Sequence, residues 1–194
     1  MRAPLGRRLL AVLIDYAIIL GWVAILLGGT LAIDFVAFGG VVNLFDTIGI
    51  GGSEAVAFAS LTLPVGIYLW ATEAGGRHAT VGKRAMGLRV LKADGSSPSA
   101  AAVLLRTIVK LLPWEFAHFV VFQVTYYALY LGRPDSAPPW VSAGLVAANL
   151  IPLVFVGCVA LTPSRRGPHD FAAGTVVGWS PPRGGPQPTE PLGG

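Results

Sequence analysis

The stretch RRLLAVLIDYAIIL, residues 7–20, begins with two arginines and continues as an apolar run that only Asp15 interrupts. No other charged residue occurs between Arg8 and Asp34. A helix needs about 20 apolar residues to cross the hydrocarbon core of a bilayer. The stretch therefore predicts a membrane-spanning helix that starts behind basic residues and carries one carboxylate inside it.

The composition of the whole chain agrees with membrane insertion. Of its 194 residues, 54% are hydrophobic and 12% are charged, and the mean hydropathy is +0.66. A typical soluble domain has about 25% charged residues, so this chain has too few to cover a soluble globule. Cys158 is the only cysteine, which excludes an intrachain disulfide and a multi-cysteine metal site.

Four segments are long and apolar enough to span a bilayer. They predict an all-α membrane protein, a four-transmembrane-helix bundle in one domain over residues 1–179. The predicted spans are residues 9–33, 55–72, 103–131 and 140–162. Residues 73–102 form the connection between the second and third spans, and the Pro- and Gly-rich tail, 180–194, is expected to be disordered. No internal repeat is evident, so an inverted-repeat transporter fold has no support from the sequence.

The distribution of basic residues predicts the orientation of these spans. Apart from Arg133, the 14 lysines and arginines lie before the first span, from the second connection to the start of the third span, or after the fourth. The loop between the first two spans holds Asp34, Asp46 and Glu54 and no basic residue. Because basic loops remain in the cytoplasm, both termini are expected there. The basic face is expected to meet anionic lipid headgroups, which explains the net charge of +4 without a nucleic-acid partner.

The connecting segment GGRHATVGKRAMGLRVLKADGSSP, residues 75–98, contains a pattern that resembles a phosphate-binding loop. That motif has four residues between its glycines and Ser or Thr after its lysine. Here five residues separate Gly76 from Gly82, and Arg84 follows Lys83. Nucleotide binding is therefore not expected.

A short helix and a strand account better for the same segment. Residues 80–86 predict a basic helix at the membrane surface, and the alternation over 87–92 predicts a strand. ADGS, residues 93–96, predicts a turn after that strand. The segment is thus expected to form a short cytoplasmic β-hairpin-like piece, with Ser99 capping the next helix.

Three motifs resemble the RDD family of bacterial membrane proteins, which is named for one arginine and two aspartates. They are RRLLAVLID, then TVGKRAMGLRVLKADGSSPS followed by LLR, and finally GPHDFAAGTVV. By motif the arginine is Arg8, with Arg7 the less favoured match, and the aspartates are Asp15 and Asp170. The resemblance implies a multi-pass protein of the bacterial plasma membrane. It implies little about activity, because the family has no settled function and transport is what has mainly been proposed.

Asp15 has two alternative roles, because a charge inside a membrane usually either pairs or lines a pathway. In the structural reading, Asp15 pairs with Arg106 or Lys110 and fixes the packing of the first and third spans. In the transport reading, Asp15, Glu115 and His118 line a path for a cation or for protons. Four spans leave little room for a pore, so this second reading implies a homo-oligomer.

Asp170 is expected either to cap a short turn at residues 171–174 or to pair with an arginine at the headgroup level. The candidate arginine partners of Asp170 are Arg8, Arg106, Arg165 and Arg166. In the favoured interpretation, Arg8, Asp15, Arg106 and Asp170 organise the bundle at its cytoplasmic face.

The sequence gives no sign of an enzyme. It contains no nucleophile elbow and no HExxH motif. His78, His118 and His169 are not spaced as a metal site. We therefore predict a non-catalytic protein without a cofactor or a metal, with small-cation or proton transport as the alternative.

Overall fold

The computed structural model describes residues 4–179, which are mostly helical. In chain order the elements are α1 (Leu5–Phe38), α2 (Leu44–Ala57), α3 (Leu63–Ala74), α4 (Val81–Ala85), β1 (Leu88–Lys92), α5 (Ala100–Val124), α6 (Pro139–Leu161), α7 (Pro168–Ala172) and β2 (Thr175–Trp179).

Three stretches of helix are long and apolar enough to cross a membrane, namely Leu5–Phe38, Leu44–Ala74 and Pro139–Leu161. The second stretch joins α2 to α3 through a π-helical turn at Phe58–Thr62 and is kinked at Gly49, whose φ is +66°. The first, second and fourth predicted spans coincide with these stretches. The helices of the first two extend further than the apolar runs that predicted them.

The predicted third span, 103–131, corresponds to α5 and a π-helical turn at Thr125–Tyr130. It is not among the three stretches, because Arg106, Lys110 and Glu115 make α5 more polar than the others. The described residues therefore contain three candidate spans where four were predicted. The tail that was predicted to be disordered lies outside the described residues.

The long helices expose apolar side chains and bury charged ones. Val36 is 89% exposed and Leu161 85% exposed, whereas Glu73 and Asp170 are each 1% exposed and Arg106 is 2% exposed. This arrangement reverses that of a soluble protein. It is expected where helices face lipid, because intramembrane charges turn toward the bundle interior.

Two short helices and a two-stranded sheet close one end of the bundle, which we call the basic end. It consists of α4, β1, α7 and β2 together with the adjoining ends of the long helices. The cap predicted at Ser99 is confirmed here, and Thr80 caps α4 in the same way. The hydroxyl of Thr80 accepts a hydrogen bond from Lys83 N at the start of α4, and that of Ser99 accepts one from Ala102 N at the start of α5.

The predicted strand forms, but its partner differs from the predicted one. β1 pairs antiparallel with β2, and Val90 lies opposite Val177. The turn after β1 is present, since Gly95 N donates to the carbonyl of Lys92. No second strand follows that turn, because the chain enters α5 directly after Ser99. The hairpin-like expectation is therefore wrong, and the sheet joins distant parts of the chain.

An internal repeat that was not expected from the sequence appears at this end. Residues 75–92 and 162–179 each contain a loop, a five-residue helix, a glycine with positive φ and a five-residue strand. His78 and Arg165 occupy the same place in the two loops, with φ of 48° and 50°. The glycines are Gly87 and Gly174, with φ of 68° and 65°. Equivalent backbone hydrogen bonds recur in both segments.

Each repeat unit follows a pair of long helices, so the described chain contains the order helix, helix, short helix and strand twice. The sequence hides this relation. Between residues 75–92 and 162–179, only Ala85 and Ala172, Gly87 and Gly174, and Val90 and Val177 are identical at equivalent positions. Both units lie at the basic end, so the repeat is parallel and not inverted.

Candidate functional site

Four alternating charges connect the elements of the basic end. Lys83 of α4 forms an ion pair with Glu73 at the end of α3, and Arg106 Nε of α5 donates to Glu73 Oε2 at 2.9 Å. Arg106 Nη1 forms an ion pair with Asp170 of α7 and donates to Thr175 Oγ1 of β2 at 2.9 Å. Lys83 and Asp170 occupy equivalent positions in the two repeat units, with opposite charge. The network ties five elements together.

Asp170 caps α7 from inside the helix and also binds Arg106. Its Oδ2 accepts a hydrogen bond from Gly167 N at 3.2 Å, and its Oδ1 accepts one from Thr175 Oγ1 at 3.0 Å. Gly167, and not Asp170, is the N-cap residue. Arg166 donates to the Asp170 backbone carbonyl at 3.0 Å. Burial is the largest influence on the pKa of Asp170 and raises it, but the Arg106 charge, the His169 ring and the hydrogen bonds from Arg106 and Gly167 N together hold the pKa below its ordinary value.

Asp15 lies against the start of α4 and accepts hydrogen bonds from three uncharged donors. Its Oδ1 accepts from Tyr68 Oη at 2.8 Å and from Gly82 N at 2.9 Å. Its Oδ2 accepts from Thr80 Oγ1 at 2.5 Å. One of these donors is a backbone N–H of the first turn of α4, which has no partner within its own helix. Within residues 4–179, no cation contacts this carboxylate.

The packing of α4 on α1 explains why Asp15 does not pair with a base. A Cβ atom on Gly82 would lie 2.0 Å from the carbonyl oxygen of Ala11, so only glycine fits there. This close approach directs Asp15 at the backbone of α4. The structure does not bring Asp15 into an ion pair with Arg106 or Lys110, the two partners that the sequence offered.

Arg8 and Arg7 both bind backbone carbonyls of the basic end. Arg8 Nη1 donates to the Arg165 carbonyl at 2.5 Å, and Arg8 Nη2 donates to the Val177 carbonyl at 2.9 Å. Arg7 Nη1 donates to the Met86 carbonyl at 3.2 Å. The start of α1 is therefore held against both repeat units.

Glu115 and His118 lie apart from Asp15. Thr62 Oγ1 donates to Glu115 Oε2 at 2.6 Å, and His118 Nδ1 is 3.8 Å from the same oxygen. Glu115 borders a cleft of about 280 Å³ between α3 and α5. Asp15 borders a different cavity, of about 270 Å³, at the basic end. The structure does not bring the three groups of the predicted transport path into one cavity.

The cavity at the basic end has a charged wall and an apolar wall. The ionisable side chains on the charged wall are Arg8, Asp15, Lys83, Arg106, Lys110, His169 and Asp170. Residues of α1, α3 and α5 form most of the apolar wall, among them Val12, Leu69 and Trp114. This cavity collects the three residues that the sequence motifs singled out, Arg8, Asp15 and Asp170.

The model of the RDD family matches residues 2–174 of the chain. The chain belongs to the RDD family. The match includes every helix from α1 to α7 and ends one residue before β2. No curated protein and no solved structure matches the chain. With its apolar helices, this RDD-family chain is a multi-pass membrane protein.

Sequence reasoning missed several residues of this RDD-family site. Glu73 is the central carboxylate of the network, yet it lies one residue beyond the predicted second span. The position of Glu73 could have indicated a charge partner, because Glu73 is a single acidic residue at the start of a strongly basic connection. Tyr68, Thr80 and Thr175 carry no comparable signal, since hydroxyl groups are common and only the fold places these beside carboxylates.

The protein is expected to lose stability in mild acid because of His169. Burial lowers the pKa of His169 to about 3, and the Arg106 charge adds to the effect. An unfolded histidine has a pKa near 6.5, so the unfolded chain takes up a proton that the folded chain excludes. This contribution is complete above about pH 6.5 and is lost progressively as the pH falls toward 3.

Thermal unfolding in detergent between pH 7 and pH 4 measures this loss. The variant His169→Phe keeps a ring against Phe155, which stacks on His169 with the ring centroids 6.2 Å apart. We expect its melting temperature to decline less than that of the wild type over this range. An equally steep decline in the variant would show that another group controls the acid sensitivity.

Proposed function

We propose that this RDD-family protein is a non-catalytic module of the bacterial plasma membrane, with four spans and both termini in the cytoplasm. In this proposal α5 is the fourth span, and the basic end faces the cytoplasm. The charge network holds the spans in one arrangement and presents a basic surface to anionic lipid headgroups. Arg84, Arg89 and Lys92 are exposed on this surface, and each basic side chain near such lipids contributes about 1 kcal/mol.

The observation that carries the proposal is that each buried carboxylate of the basic end is already bound. Asp15 accepts three hydrogen bonds, Glu73 binds Lys83 and Arg106, and Asp170 accepts from Arg106 and from two further donors. A carboxylate that carries a cation must exchange these donors for the ion. Removing one partner from such a buried set is destabilising, which is the behaviour of a structural network.

The proposal is tested with purified protein in proteoliposomes under ion and pH gradients. We expect no gradient-driven flux above that of empty vesicles for the wild type. We expect Asp15→Asn to reduce the yield of monodisperse protein, because the amide nitrogen that replaces one carboxylate oxygen cannot accept a hydrogen bond. Wild-type flux that disappears in a normally assembled Asp15→Asn variant would overturn the structural role and support transport.

Transport of a small cation or of protons is the second candidate, and it now centres on Glu115 and His118. Thr62, which donates to Glu115, belongs to the π-helical turn of the second stretch, and such turns often occur at functional sites. A parallel internal repeat is also common among transporters. In the same vesicles Glu115→Gln is the decisive variant, since it should abolish any wild-type flux while leaving the basic end intact.

A further inference from the structure

Among the described residues, one cation on the cavity wall at the basic end is in direct contact with no carboxylate. Lys110 lines the cavity, yet within residues 4–179 neither a hydrogen bond nor an ion pair reaches its amine. The other cations there are engaged, since Lys83 binds Glu73, Arg106 binds two carboxylates and Arg8 binds two carbonyls. An uncompensated amine inside a bundle is costly.

The charge balance of the cavity favours an anion over a cation. Four basic side chains, Arg8, Lys83, Arg106 and Lys110, stand against three carboxylates, Asp15, Glu73 and Asp170. His169 adds no charge near neutral pH, because burial lowers its pKa. One positive charge therefore remains, and the carboxylates that could attract a second cation are already bound. A single negative group beside Lys110 would make the set neutral.

The apolar wall of the cavity indicates that the ligand which carries this negative group also has an apolar part. Val12, Tyr16 and Trp114 line the cavity and nevertheless remain 45%, 48% and 38% exposed, so this wall is open. α1 packs mainly on α4 and makes little contact with α5. An apolar chain can therefore pass from the cavity between α1 and α5 into the surrounding bilayer.

We propose that this cavity binds the phosphate group of an anionic phospholipid, with the Lys110 amine as its counterion and an acyl chain leaving between α1 and α5. The inference rests on the proposed function in one respect, which is that the basic end lies at the level of the cytoplasmic headgroups. Phosphatidylglycerol fits the charge balance, because its headgroup carries a single negative charge. Phosphatidylcholine fits less well, because its own ammonium group would face the basic side chains.

The test is native mass spectrometry of the full-length protein in a neutral detergent, titrated with phosphatidylglycerol or phosphatidylcholine. We expect one phosphatidylglycerol per chain for the wild type and at least about tenfold weaker binding for Lys110→Met. Arg133→Met is the matched control, because it removes one positive charge from an exposed residue between α5 and α6, outside the basic end, and should bind like the wild type. Equal binding by Lys110→Met and the wild type would overturn the proposal.

Two further arms keep the test decisive. Val12→Trp fills the exit path without changing any charge, and its loss of phosphatidylglycerol is expected even if Lys110→Met does not yield folded protein. Millimolar inorganic phosphate is added in place of lipid. If phosphate alone raises the melting temperature and phosphatidylglycerol shows no preference over phosphatidylcholine, the ligand is a free anion and the lipid assignment fails. Binding is measured in detergent, so this result is independent of any flux in vesicles.

Discussion

Arg106→Leu is expected to destabilise the protein by about 3–5 kcal/mol, a size typical of breaking a buried ion pair by removing one partner. The change leaves Asp170 without its cation and Glu73 with Lys83 alone. Both carboxylates stay inside the bundle, and neither gains another cation in exchange for the lost guanidinium. Because most proteins are stable by only about 5–15 kcal/mol, we expect little monodisperse protein after extraction. Size-exclusion chromatography after a heating series measures the effect.

Arg106→Lys is expected to restore only a small part of this loss. Arg106 donates to Glu73 through Nε. Its Nη1 donates to both Asp170 and Thr175. A lysine amine is a single point of charge and cannot span the two carboxylates. Arg89→Leu removes an exposed arginine and should behave like the wild type. A melting temperature for Arg106→Leu equal to that of Arg89→Leu would refute the central role of this residue.

Gly82→Ala is expected to have an effect of similar size for a steric reason. Its Cβ would lie 2.0 Å from the carbonyl oxygen of Ala11 and 3.0 Å from Cγ of Asp15. The obstacle at Ala11 is backbone, so no rotamer change relieves it and α4 must move away from α1. Overpacking costs about 1–3 kcal/mol, and the lost hydrogen bond from Gly82 N to the charged Asp15 adds about 1.5–3 kcal/mol.

Gly21→Ala is the matched control for this prediction. Gly21 lies within α1, and a Cβ there meets nothing within 4 Å. Alanine is favoured over glycine inside a helix by about 0.5–1 kcal/mol, so this variant should melt at or above the wild-type temperature. Measurement of both variants by the same heating series separates steric exclusion from a general sensitivity to glycine replacement. Equal melting temperatures for the two would rule out the close packing of α4 on α1.

Local chemistry was enough to predict α4 and β1 at the basic end. Ser99 is a capping residue that acts within three positions of itself, so its role was readable from the chain alone. The strand at residues 88–92 likewise follows from alternation within a few residues. The partner of that strand was not readable, because Val177 is far away in sequence and the nearby turn suggested a hairpin.

Which charged side chains pair with one another depends on the tertiary structure and is not predictable from local sequence patterns. Asp15, Arg106 and Asp170 were all selected from the sequence, but the favoured link between Asp15 and Arg106 does not form. The reason is Gly82, whose missing side chain lets the backbone of α4 take the carboxylate first. Glu73 then takes the place beside Arg106 that had been assigned to Asp15.

The sequence by itself determined where apolar helices run, because membrane insertion depends on the length and polarity of contiguous segments. It also determined the short helix and strand between them, because capping and alternation act over a few residues. Only the tertiary structure decided which charges meet, which strand pairs with β1, and that the two halves of the described chain share one order of elements. These features depend on the close approach of distant segments, which the identity of a single residue such as Gly82 permits or forbids. The sequence hid this repeat because the two units share a backbone path while differing at most positions.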